Sequence, residues 1–365
     1  MKKFIEQPIE QGIPIHPISG PPPLVALGTG PPDSLAEVVH QNKKPKNAPY
    51  QPIVIDEHTL QGLIRYSSAR HGVDAYALPG YFIMTGRNGL EFVADAQACF
   101  PACRHPNLSE RLLIFPPVGD VKAVDAYLDR LETWPANGVQ LARFSPEDQQ
   151  AFIDGLRRRW KVTPFVEDTL DWGRYPVRSL PVQALALRVG KSFQNHRRKY
   201  NYVHKHIENI EIIEHWDSDK DERVCDFIHD WAGKKHAQDD RFSLHDYASP
   251  YLSIVSIHST CDLRSVCLLF EDAAGRVLGM VVVEILGRVA ATYMNIATDA
   301  ISYLPTYILI RACEYLHETQ AADVLCLGGS ETESLNRFKA NAQPDFARDD
   351  AVLSYELQSF LIQPQ

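Results

Sequence analysis

No apolar run in this chain approaches the roughly 20 residues that a bilayer-spanning helix needs, so no helical membrane anchor is expected within it. Prolines interrupt its opening residues, so no secretory leader is expected, and a cytoplasmic location is. Cysteine is sparse: seven scattered residues in 365, an odd number. That excludes a disulfide scaffold and fits reduced thiols. Only Cys99, Cys103 and His105 cluster, and no second pair at zinc-finger spacing accompanies them, so no metal site is expected. Glycine is missing from the whole stretch Asn295 to Pro305, which carries Asp299. A diphosphate needs backbone room and positive charge, and that stretch offers neither.

Positive charge is scarce overall, with a net charge of −9, yet it is concentrated. Between Arg157 and His206 there are 12 Lys/Arg against three acids, a local charge of +9 that leaves −18 for the remainder. An asymmetry of this size suggests a local docking site for phosphates. Within the block, Phe193, Tyr200, Val203 and Ile207 recur at helical spacing and predict a buried stripe. Lys191, Arg197, Arg198, Lys199 and Lys205 fall mostly off that stripe, and Tyr200 or Tyr202 is placed to stack on an unpaired base.

A second segment runs Leu327-Gly328-Gly329-Ser330-Glu331-Thr332-Glu333-Ser334-Leu335-Asn336-Arg337-Phe338-Lys339. The apolar residues before it predict a buried strand, and the two glycines allow a tight turn. Ser330 and Glu333 have capping-box spacing for a new helix. Lys339 then falls about two turns into that helix, and can lie near the strand end. Strand end, helix start and lysine together suit a site that handles developing negative charge.

Eleven of the 25 prolines lie in residues 1–52, which read as an extended arm or loose tail. The spacing then predicts a helix over 56–71, a hairpin from Tyr81–Met84 and Leu90–Val93, and a strand over 112–115. A helix over 121–134, a strand over 139–142 and a helix over 146–160 follow. The second half predicts a strand over 210–213 and a helix over 223–236. Three β-rich runs follow over 266–270, 277–286 and 289–296, then a helix over 303–319 and a strand over 324–327.

The order R-x-G-K-x-F-x-x-x-R-R-K-x-N at Arg188–Asn201, followed 125 residues later by L-G-G-S-E-T-x-x-L-x-x-F-K at Leu327–Lys339, resembles the C-terminal DUF2156-type domain of phosphatidylglycerol lysyltransferases. That domain belongs to the aminoacyl-tRNA-dependent branch of the GNAT acyltransferases, related to the Fem transferases. Phe115–Gly119 and Asp171–Tyr175 agree with it, and the resemblance covers about residues 50 to 362. It implies an α/β fold of tandem GNAT-like domains, each a mostly antiparallel central sheet flanked by helices. The expected division is an arm over 1–52, a first domain over 53–165 and a second over 166–365 carrying the transfer site.

The resemblance implies aminoacyl transfer from charged tRNA to an amine or hydroxyl of a soluble small-molecule, natural-product or peptide acceptor, with no cofactor besides the charged tRNA. By match to the family's F-K, Lys339 is expected to stabilise the oxyanion. Glu284, a lone carboxylate in an apolar run, and Glu331 are the candidates for proton transfer. Tyr293 and Asn295, offset by two on the next strand, are expected to face one side and position substrate. Gly328, Gly329, Ser330 and Phe338 complete the expected substrate site, and Arg337 is a further phosphate contact. Two alternatives stay open: an acyltransferase using coenzyme A or an acyl carrier protein, and a non-catalytic GNAT-like binding protein.

Overall fold

In the computed structural model the described residues are 57–70, 78–85, 90–94, 99–104, 111–116, 128, 138–141, 144, 146–165, 177–214, 218–238, 247–252, 254–255, 263–328, 330, 333–342, 352–353 and 358–364. The proline-rich arm, most of the helix expected over 121–134, and Gly329 and Glu331 lie outside them.

Two sheets organise the chain. The first has the order β1-β2-β3-β4-β13-β5, from Leu90–Ala94, Cys99–Arg104, Arg111–Ile114, Gly138–Leu141, Gln358–Pro364 and Trp160–Phe165. The second has the order β12-β6-β11-β10-β9-β8-β7, from Val352–Leu353, Val177–Pro181, Val324–Gly328, Val289–Ala297, Val277–Leu286, Ser265–Glu271 and Asn209–Ile213. Only β3–β4 and β10–β11 pair in parallel among the described strands. The expected class, mixed α/β with mostly antiparallel sheets, is the one observed.

The first sheet packs Ala102, Leu112, Ile114, Val139 and Leu141 against Phe152, Ile153 and Leu156 of a helix over Pro146–Arg159. Ahead of the sheet, helices α1 (Glu57–Arg70) and α2 (Pro79–Thr85) bring Tyr81 and Phe82 against Phe115, and Tyr66 against Phe82, in edge-to-face contacts. The hairpin expected from residues 81–93 is therefore not formed. Tyr81–Thr85 is helical, and β1 pairs with β2 instead. A short apolar run satisfies either period, and here the aromatic cluster decides it.

The second sheet is covered on both faces, which explains its continuous apolar strands. One face packs Val266, Leu268, Val281 and Val283 against Leu304, Ile308 and Leu309 of a helix over Leu304–Glu318. The other packs Met280, Val282 and Met294 against Val224, Phe227 and Ile228 of a helix over Ser218–Gln238. Gly279 lets the first of these helices come close: a Cβ there would meet Ile308 Cδ1 at 2.5 Å.

The expected division at 165/166 does not account for the last strand. β13 lies between β4 and β5, pairing with both, so residues 358–364 belong to the first sheet. No helix of the described residues is long and apolar enough to cross a membrane.

Candidate active site

The parallel ladder between β10 and β11 covers three residue pairs, from Val289–Val324 to Ala291–Cys326. There the register of β10 against β9 shifts between Thr292 and Met294, a bulge at Tyr293. A bulge bends its strand and redirects a side chain. Beyond it β10 runs on to Ala297 with no β11 partner among the described residues, and this unpaired end of the ladder forms a wedge between the two strands.

The bulge also corrects the expectation for Tyr293 and Asn295. Alternation by two holds only in an unbroken strand. Tyr293 packs on the face of Met280 and Met294, close to Glu284 and Gly80. Asn295 donates from Nδ2 to the Pro305 carbonyl at 3.3 Å, on the face of the Leu304–Glu318 helix. The two residues flank the wedge from opposite faces. Asn295 Oδ1 is buried without a hydrogen-bond partner among the described residues.

Glu284 is 2% exposed, in the middle of the second sheet. Its Oε2 accepts a hydrogen bond from the Gly80 N–H at 2.9 Å. Gly80 must be glycine for this approach, because a Cβ would lie 2.2 Å from that oxygen. Leu78 packs beside it against Val177, Ala291 and Cys326, so the contact joins the first half of the chain to the second sheet. Burial pushes the carboxyl up to about 8, while the Gly80 and Tyr293 hydrogen bonds pull it down. The group therefore holds a proton at neutral pH and can exchange it just above.

Gly328 ends β11 with φ +75, as a tight turn requires. The following helix runs Glu333–Asn341. Ser330 is 2% exposed, and its hydroxyl has no partner among the described residues. Glu333 pairs with Arg337, at 2.6 Å. Phe338 packs against the main core and anchors the helix. Lys339 is half-buried in its last turn, at the far end from the Gly328 turn. There it lies next to the basic segment, whose buried His196 bonds the Asn341 backbone. Arg178 of β6 holds the same helix from Nε to Asn336 Oδ1, at 3.0 Å.

The basic segment forms a helix over Gln194–His204 with Phe193, Val203 and Ile207 turned to the core, as the periodicity predicts. Lys191, Arg197, Arg198 and Lys205 are exposed, and Lys199 is half-buried. Arg197 is engaged locally: its Nη1 donates to the Arg188 and Gly190 carbonyls, at 2.5 and 2.8 Å. Arg198 bonds Asn195 on its own helix.

Sequence reasoning missed Gly80, His196 and a buried ion-pair network. Arg188, in a left-handed conformation, meets Glu314 at 2.5 Å, and Arg311 pairs with the same carboxylate. Arg188 also lies over the Tyr200 ring, 4.5 Å from its centroid, which ties Tyr200 into this network. Partners 126 residues apart leave no local signal. His196 was the legible one, since it falls at helical spacing between Phe193 and Tyr200.

In the loop before the Leu304–Glu318 helix, the first-turn donors are engaged. The Leu304 N–H bonds the Ile301 carbonyl, Thr306 and Tyr307 both bond Tyr303, and Pro305 has no N–H.

No family profile and no curated protein matches the sequence. Solved structures do share its fold. L-PGS from Bacillus licheniformis is similar at 12% identity and a TM-score of 0.53, over 85% of this chain and 92% of that one. The C-terminal DUF2156 domain of a lysylphosphatidylglycerol synthetase from Agrobacterium fabrum is similar at 14% identity and a TM-score of 0.51, over 84% and 92%. FemX is similar at 11% identity and a TM-score of 0.52, over 86% and 98%. The fold resemblance read from the two sequence motifs thus holds across most of the chain.

Proposed function

We propose that this protein is an acyltransferase that takes an aminoacyl group from charged tRNA and passes it to an amine or hydroxyl of a small-molecule or peptide acceptor. The observation that carries this reading is the wedge at the Tyr293 bulge. It sits beside a buried carboxyl poised for proton exchange, on a fold shared with L-PGS and FemX.

In this reading the acceptor attacks the ester carbonyl, the carbon–ribose oxygen bond breaks, and the acceptor proton ends on the ribose oxygen. A carboxyl titrating near 8 can relay that proton through the neighbouring Tyr293 hydroxyl. Ser330 and Asn295 offer hydrogen bonds to the aminoacyl group, and Lys339, in the last turn of its helix away from the Gly328 turn, is assigned to the oxyanion on its match to the family's F-K. Lys191, Arg198 and Lys205 meet phosphates of the donor. Two observations support tRNA over coenzyme A: the engaged first-turn donors at Leu304–Tyr307, and the absence of glycine from the loop before them.

Hydroxylamine replaces the unidentified acceptor in a direct test. The protein should accelerate release of one amino acid, as its hydroxamate, from a set of charged tRNAs. Lys339→Ala should slow that release by about 10²–10³-fold while tRNA binding persists. Loss of tRNA binding with an unchanged maximal rate would reassign Lys339 to docking. No acceleration with any charged tRNA would contradict the proposal.

A further inference from the structure

Two tyrosines beside the wedge are not used by the core. Tyr202 and Tyr303 are each 47% exposed, unusual for such large rings among the described residues. They come from different elements, the basic helix over Gln194–His204 and the residue preceding Leu304, and meet edge to face at 6.1 Å. Tyr303 has φ +68, a left-handed conformation that bulky residues rarely adopt. The Lys199 ammonium lies over one face of its ring, 5.3 Å from the centroid, which leaves the other face for a base. The His206 imidazole lies 5.4 Å from the Tyr202 ring. Tyr200, two residues away and so on the other side of the same helix, is taken up differently. Its ring meets His204, Tyr307 and Arg188, within the network around Glu314.

We propose that Tyr202 and Tyr303, flanked by Lys199, form a stacking platform for an unpaired nucleobase near the 3′ end of an RNA. The inference rests on the reading of charged tRNA as donor and names where its single-stranded end sits. Aromatic faces accept any base, and an ammonium beside them meets the adjoining phosphate. The basic helix has no acid in residues 194–204 to repel that phosphate. Asp299, in the same loop as Tyr303, faces Gln238 at 3.4 Å. The platform also connects to the wedge. Pro305, two residues beyond Tyr303, accepts the hydrogen bond from Asn295. A base held on Tyr303 is thus bound two residues from the carbonyl that Asn295 contacts.

The test compares two RNA hairpins with the same stem, one blunt and one with a short unpaired 3′ tail, at near-physiological salt. The wild-type protein should bind the tailed hairpin about 5- to 150-fold more tightly. Tyr303→Ala and Tyr202→Ala should each reduce that preference, and Tyr303→Phe should keep it. Thermal melts of the variants separate loss of the platform from loss of the fold. Equal binding of both hairpins by the wild type overturns the platform while leaving the donor reading intact. An undiminished preference in Tyr303→Ala also overturns it. Failure to bind either hairpin overturns both. Anionic phospholipid vesicles are the contrasting probe: tyrosine-dependent vesicle binding without any tail preference assigns the patch to a lipid surface and overturns the proposal.

Discussion

At the residue scale, Glu284 sets the strongest constraint. A carboxyl whose pKa rises from its ordinary 4.5 to about 8 on folding is protonated in the folded state across that window. The folded state then binds more protons than the unfolded one, so stability is full below about 4.5 and falls as pH rises toward 8. Glu284→Gln keeps the shape and removes the titration. Its stability relative to wild type should climb between pH 5 and pH 8, by at most about 5 kcal/mol, in thermal melts across pH. A pH-independent difference would show that the carboxyl is not held neutral. Glu284 was legible in the sequence because a lone acid interrupts an apolar strand. Its Gly80 partner was not, because 204 residues separate them and a glycine among aromatics carries no signal.

At the element scale, two helices and one strand carry the site. The helix over Gln194–His204 and its buried stripe follow from spacing alone. The division of labour among its cations does not. Arg197 closes onto the carbonyls of the Arg188–Gly190 turn, so it braces the helix start. Arg198→Glu and Lys205→Glu should each reduce the salt slope of tRNA binding by about one unit. Arg197→Glu should lower the melting temperature instead. An unchanged slope in the first two variants would remove the helix from the docking surface. The Tyr293 bulge marks the limit of pattern reading. Strict alternation places Tyr293 and Asn295 together, and one extra residue puts them on opposite faces. The 81–85 segment failed for a related reason, since a short apolar run fits either helix or strand until its packing partners are known.

At the scale of the whole molecule, the chain is not two beads in series. The last strand returns to the first sheet and fills the place between β4 and β5. Nothing local announces this, because the partners of Gln358–Pro364 lie some 200 residues upstream. Removing residues 358–365 should therefore split the first sheet and abolish a cooperative thermal transition. A truncated chain that melts like the full one would contradict the pairing. The overall fold class was legible through the family resemblance, and the core of the second sheet through continuous Val/Ile/Leu runs separated by short turns.

The central claim is that the wedge serves an aminoacyl-tRNA and not a coenzyme A thioester. It is tested most directly by binding of the purified protein to charged tRNA, deacylated tRNA and acetyl-CoA, side by side at near-physiological salt. The account predicts micromolar binding of tRNA, tighter when charged, and no binding of acetyl-CoA. Binding of acetyl-CoA without binding of tRNA would contradict it.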